Sequence, residues 1–208
     1  MKKIIVTFFA AMFAAAALFA QTPEEIIARM DQETNRFDSE GCSMVMEMKI
    51  PLLGSFSTTV YMFGNKFKMV TDVKGKKAVN WSDGKTEWMY EPEKNEVTVT
   101  TAKASEKSEA ESNMDMLSGV TEGYDVKLKN ETDQAWYFRC TKSKTNTNKD
   151  DPKSMDLVIS KTTYLPLSAS VREKGITVTL RDFAVGVKEG DVTFRPSDYP
   201  GVKIIDQR

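Results

Sequence analysis

The chain has 208 residues, with 29 basic and 30 acidic side chains and no histidine. That near balance gives no reason to expect nucleic acid or an anionic membrane as a partner. The absence of histidine removes the commonest general base and the commonest zinc ligand, and two cysteines alone make no metal site.

Lys2-Lys3 precedes an uncharged apolar run from Ile4 to Ala20, which Gln21-Thr22-Pro23 breaks. A basic start, a short apolar core and small residues at its end predict a secretory signal peptide over residues 1–20, cleaved after Ala20. An uncleaved anchor is the alternative, since the run is at the lower limit of a membrane span. Residues 21–208 then form one exported domain, outside the cytoplasm and large enough to bury a core. Pro23 to Phe37 reads as one amphipathic helix. Thr22 caps it, Pro23 suits its first turn, Glu24-Glu25 complement its dipole, and Ile26, Ile27, Met30 and Phe37 form its apolar stripe.

After Gly41 the period changes to two. Cys42, Met44, Met46, Met48 and Ile50 alternate with Ser43, Val45, Glu47 and Lys49, and Phe56, Thr58, Val60 and Met62 continue the pattern beyond a turn at Pro51–Gly54. Further strands are predicted at Asn65–Val73, Lys77–Ser82, Lys85–Glu91 and Asn95–Thr101. A helical interlude, Ala104–Leu117, ends in Met114, Met116 and Leu117. Strands resume at Tyr124–Lys129, Gln134–Thr141, Ser154–Ser160, Leu165–Arg172, Ile176–Asp182 and Val192–Arg195. The polar stretch Lys142–Lys153, with no apolar anchor, reads as an exposed, mobile loop. Eleven or so short antiparallel strands predict a mainly β barrel, half-barrel or sandwich, and an incompletely closed sheet with helices on its open side accommodates both helical segments.

Asp83-Gly84 is a preferred dipeptide for a type I′ hairpin turn, which would place Val79, Trp81, Thr86, Trp88 and Tyr90 on one face. The methionines Met44, Met46 and Met48, facing Phe67, Met69, Trp81, Trp88 and Tyr90, form either a plain core or a deformable lipid-sized cavity, and periodicity does not separate the two. A two-residue turn at Lys74-Gly75 puts Phe67 and Trp81 on opposite faces; a three-residue turn puts them together. Cys42 and Cys140 permit a disulfide, although both sit in strands where geometry is restrictive. There is no nucleophile elbow, phosphate-binding glycine loop or cysteine-pair zinc pattern. The expectation is therefore no enzyme, no cofactor and no metal.

Ser82-Asp83-Gly84-Lys85-Thr86-Glu87-Trp88-Met89-Tyr90-Glu91-Pro92 resembles the S-D-G-K-T-x-W-x-Y-x-P signature of the periplasmic outer-membrane lipoprotein carrier family. Val192-Thr193-Phe194-Arg195-Pro196, Pro200-Gly201-Val202 and the terminal Asp206-Gln207-Arg208 are similar too, as is Asn65-Lys66-Phe67-Lys68-Met69. The resemblance implies an unclosed antiparallel half-barrel of about eleven strands with a helical lid over its concave face. It implies a monomeric chaperone that takes acylated lipoproteins from an inner-membrane lipoprotein-releasing ABC transporter and carries them to an outer-membrane lipoprotein acceptor. Phe67 then matches a cavity aromatic and Met69 stands where the family often has tryptophan. The candidate acyl-binding residues are Met44, Met46, Met48, Phe67, Met69, Trp81, Trp88 and Tyr90, with Met114, Met116 and Leu117 of the interlude. The basic residue that ties lid to sheet in the family falls at about Phe63, with Lys66 near but not aligned.

Three rivals remain. The acceptor lipoprotein of the same fold should carry an acylated N-terminal cysteine, which is absent here. A lipid- or lipoprotein-sensing module usually appends a further domain. A small outer-membrane barrel should keep one strand face apolar, whereas Lys49, Thr58, Lys68 and Lys85 populate both.

Overall fold

A computed structural model describes residues 21–73, 75–102, 119–149 and 151–208. The predicted signal peptide, and the interlude with Met114, Met116 and Leu117, lie outside these residues.

Helix α1 (Pro23–Thr34) opens with a reciprocal cap. The Thr22 hydroxyl accepts from the Glu25 N–H at 3.2 Å, and the Glu25 carboxylate accepts from the Thr22 N–H at 3.0 Å. The helix expected to reach Phe37 breaks at Asn35 and resumes as α2 (Arg36–Glu40). Thr34 stands at the break, its hydroxyl donating back to the Met30 carbonyl at 3.1 Å, a bond that bends helices.

Twelve strands follow among the described residues: β1 (Cys42–Ile50), β2 (Gly54–Phe63), β3 (Lys66–Val73), β4 (Lys76–Ser82), β5 (Thr86–Glu91), β6 (Glu96–Thr101), β7 (Tyr124–Glu131), β8 (Ala135–Lys142), β9 (Ser154–Ser160), β10 (Pro166–Glu173), β11 (Ile176–Val185) and β12 (Lys203–Asp206). They form one sheet in the order β12-β6-β5-β4-β3-β2-β1-β11-β10-β9-β8-β7. Its two edges, β12 and β7, are not joined, so the fold is an unclosed half-barrel bearing helices, as expected, with a twelfth strand added. Every pairing is antiparallel except β12 with β6, which is parallel.

One local expectation is corrected. Val192–Arg195 is not a strand. It lies between two 3-10 turns, Glu189–Asp191 and Pro196–Asp198, in a strap that leads from β11 to β12. Val192 is buried and Phe194 stacks on other rings, so alternation here reflects packing on a sheet rather than membership of it. The loop after Lys142 has anchors that composition did not reveal. Tyr124 Oη donates to the Pro152 carbonyl at 3.0 Å, and the Asn146 amide donates to Asp151 at 2.7 Å and to the Gly123 carbonyl at 3.3 Å.

The helices cover one face of the sheet. Ile26 and Met30 pack on Trp136, Phe138, Leu157 and Ile159 of β8 and β9. Phe37 packs on Cys42, Met44, Val60, Met62, Phe67 and Leu180. One group on α1 works against this packing: Asp31 Oδ1 is buried without a hydrogen-bond partner among the described residues. Burial, and then the nearby Glu122 carboxylate, raise the Asp31 pKa. Because the folded-state pKa lies above the unfolded one, the penalty sets in as pH rises through the unfolded value and is complete above the folded one. Asp31→Asn is therefore expected to raise the melting temperature at pH 7, and thermal melts at decreasing pH should show the two proteins converge as Asp31 protonates.

Candidate functional site

Strict alternation along β1 sends Cys42, Met44, Met46, Met48 and Ile50 to the helix-bearing face, and neighbouring strands supply apolar partners in register. Met44 lies opposite Val60. Met46 lies opposite Thr58 on one side and Leu180 on the other, and Met48 lies opposite Phe56 and Val178. The ladder continues through Ala169, opposite Leu180, and Val171, opposite Val178. Burial falls along it. Cys42 and Met44 are buried under α2, Met46, Met48, Val171 and Val178 are partly buried, and Phe56 is 50% exposed. The apolar face thus runs out beyond the cover of α1 and α2. From Met44 to Ile50 it extends about 20 Å at ~3.4 Å per residue.

Five of the predicted residues meet on this face: Met44, Met46, Met48, Phe67 and Met69. Phe67 is 2% exposed and belongs to the core beneath Phe37. Val60, Phe56, Val171, Val178 and Leu180 were not singled out as site residues from sequence, although their own period-two spacing carried the signal.

Trp81, Trp88 and Tyr90 do not join them. Val73 pairs with Lys76, leaving a two-residue turn, and Lys68 rather than Phe67 pairs with Trp81. Phe67 and Trp81 therefore occupy opposite faces. On the far face the strap covers the aromatic patch. Trp81 lies 5.2 Å from Phe194 and 5.5 Å from Tyr199 between ring centroids, Trp88 lies 5.8 Å from Phe194, and Tyr90 lies 4.8 Å from Tyr199. The aromatic surface of this hairpin is a second core. The side of β4 and β5 facing the helices carries Asn80, Ser82, Glu87 and Met89 instead.

The hairpin turn also differs in detail. A type I′ turn needs positive φ at both Asp83 and Gly84, and only Gly84 has it, at 82°. The Asp83 carboxylate instead accepts from the N–H groups of Lys85 at 2.9 Å and Thr86 at 2.7 Å. The register moves by two residues, so the expected face survives but Trp81 opposes Trp88 directly.

A cleft of about 580 Å³ lies between the strap and the far face, lined by Tyr61, Lys68, Trp81, Asp191, Arg195 and Tyr199 among others. Its mixed charge makes it unlike the methionine ladder. Lys66 reaches the same strap, pairing with Glu189 at 2.5 Å and holding that carboxylate below its usual range. The nearest basic residue to the expected lid latch is thus committed to the strap.

The cysteines are free. Cys42 on β1 and Cys140 on β8 are separated by β11, β10 and β9, roughly 19 Å at ~4.8 Å per strand, far beyond disulfide reach. Burial pushes the Cys42 thiol up to about 12 and the Cys140 thiol to about 11, which leaves both unreactive. No cluster of metal-ligating side chains occurs among the described residues.

Residues 16–174 match the family model described as outer membrane lipoprotein carrier protein LolA. The chain belongs to this family. The LolA match includes the methionine ladder on β1 and ends before β11, the strap and β12. Among solved structures, an uncharacterized conserved protein of Thermus thermophilus is 14% identical, with a TM-score of 0.49 over 90% of this chain and 100% of that one. A LolA superfamily protein of Nitrosomonas europaea is 12% identical, with a TM-score of 0.36 over 86% of this chain and 100% of that one. No curated protein matches the chain.

Proposed function

We propose that this LolA-family chain is a periplasmic carrier that binds the acyl chains of lipoproteins on its helix-bearing face. It receives them from an inner-membrane lipoprotein-releasing ABC transporter and passes them to an outer-membrane acceptor. Residues 1–20 serve as a cleaved export signal, and residues 21–208 act as a single monomeric domain. The task is binding, with no bond made or broken.

One observation carries the reading: the apolar ladder continues past the helices, leaving Met46, Met48, Val178 and Phe56 short of full burial. Its length of about 20 Å accommodates a chain that spans one leaflet, ~15 Å of hydrocarbon. Each methylene withdrawn from water contributes ~0.8 kcal/mol, so acylated cargo needs such a surface to leave a bilayer at useful rates. Methionine side chains adapt to chains of different shape and hold none of them rigidly, which suits release without nucleotide.

Met48→Glu is expected to weaken binding of a fluorescent long-chain acyl probe by roughly tenfold or more, through loss of contact with two or so methylenes and burial of charge. Its melting temperature should stay close to the parent value, because Met48 lies outside the fully buried core. Undiminished probe affinity would remove the ladder from the binding site. Mass spectrometry of protein purified from the periplasm should find triacylated lipoproteins; free phospholipid alone would indicate a general lipid binder or lipid sensor of the same fold.

A further inference from the structure

Leu52 is a non-glycine residue with positive φ, as are Asn95, Tyr164, Lys174 and Asp182, and of these it is the exposed aliphatic one. It occupies the third position of a tight turn that Pro51 enters and that closes with the Leu53 N–H donating to the Ile50 carbonyl at 3.2 Å. Its φ is +68°, the value that glycine or asparagine supplies in turns of this kind. Its side chain is fully exposed, at 106%, and Leu53 beside it is 70% exposed. Nothing among the described residues rewards this choice, since the leucine packs on none of them and strains its own backbone. A local rule broken without a structural return points to a strained or functional position, and the exposed leucine pair makes this one a candidate contact.

The surroundings say what kind of surface the turn meets. Phe56 and Ile176, 50% and 37% exposed, extend the apolar tip. The turn between β10 and β11 lies alongside, because a Cβ on Gly175 would stand 3.3 Å from the Pro51 ring. A cleft of about 460 Å³ opens there, lined by Lys149, Val171, Glu173, Lys174, Ile176 and Val178, two of which belong to the ladder. Lys49, Arg172 and Lys174 flank the tip, exposed, and none of them pairs with a carboxylate among the described residues. The near-neutral total charge of the chain conceals this local cationic collar. Leucine is under-represented at protein–protein hot spots, whereas leucine and phenylalanine ringed by lysine and arginine suit the headgroup boundary of an anionic bilayer.

We propose that the tip of the β1–β2 hairpin docks on an anionic lipid bilayer, with Leu52, Leu53 and Phe56 entering the acyl boundary and Lys49, Arg172 and Lys174 meeting lipid phosphates. Phe56, opposite Met48, joins this contact to the methionine ladder, so a chain leaving the bilayer would meet protein without crossing open water. The docking stands on this exposed tip and its cationic flank and holds whether or not the ladder carries acyl chains.

Co-sedimentation of the full chain with vesicles of phosphatidylethanolamine and phosphatidylglycerol is expected to show binding that weakens with added salt and is poor on pure phosphatidylcholine. The double variant Leu52→Glu, Leu53→Glu should lose roughly tenfold or more of that affinity while binding a soluble acyl probe normally, which separates failure of this proposal from failure of the carrier reading. Leu52→Gly guards against misfolding: it relieves the backbone, should melt no lower than the parent, and should still bind vesicles less well. Absence of vesicle binding by the parent, or equal binding by the double variant, would overturn the proposal. So would a dimer that Leu52→Glu dissociates without any vesicle binding, which would assign the tip to a second copy of the chain.

Discussion

Trp81→Ala is expected to destabilise the protein by ~3–5 kcal/mol and to free the strap, while leaving the methionine-bearing face in place. Trp81 is 2% exposed and contacts both Phe194 and Tyr199, so its removal empties the centre of the second core. Part of the loss is the cavity left behind. Part is two aromatic pairs, each worth about 0.5–1.5 kcal/mol beyond area burial. Other attachments would remain, among them the Lys66–Glu189 pair on the half-exposed surface, the short parallel pairing of β12 with β6, Trp88 stacked on Phe194 and Tyr90 against Tyr199. Urea denaturation should report the stability loss, and limited proteolysis should show new cleavage between Val187 and Val202. An acyl probe should bind the folded fraction with parental affinity. If Trp81 lined the acyl site, the opposite would hold, with lost affinity and little change in stability. That outcome would sink the placement of the aromatic patch.

Phe67→Glu should fail to fold. Phe67 matches a family cavity aromatic by sequence, yet here it is enclosed by Phe37, Cys42, Met44, Val60, Met62 and Leu180. None of these offers a partner to a carboxylate. An ionised group there would cost several kcal/mol of desolvation on top of ~3–5 kcal/mol for the lost ring. Domains of this kind have about 5–15 kcal/mol to lose in all, so the sum is of the order of the whole stability. Circular dichroism and the yield of soluble protein would measure it. Phe67→Leu, which keeps most of the volume, should fold and bind the acyl probe. A well-folded Phe67→Glu protein with selectively impaired acyl binding would mean that Phe67 faces the ligand rather than the core.

These two residues also mark where reading the chain succeeded and where it stopped. The strand limits from Cys42 to Thr101 came within a residue or two, and Thr22-Pro23-Glu24-Glu25 announced the cap of α1, because caps and period-two alternation are local chemistry. The hairpin's aromatic face was legible for the same reason. Its destination was not. Alternation sorts side chains into two faces within each strand, but a single residue more or less in a turn decides which faces of adjacent strands coincide. The Lys74-Gly75 turn held that decision and its composition did not disclose it.

The strap compounded the difficulty. Phe194 and Tyr199 lie more than a hundred residues beyond Trp81, and nothing in Val192–Arg195 distinguishes a strand from a segment laid across one. The collar around Leu52 was hidden likewise, since Lys49 comes near Arg172 and Lys174 only where β1 pairs with β11.

What the sequence determined by itself is the family, the capped helix, the strands up to β11 and the methionine ladder, all properties of neighbours along the chain or of short motifs. Tertiary structure alone decided which apolar surface is core and which is free to bind, because that depends on strand register and on a distant segment covering one face and leaving the other open.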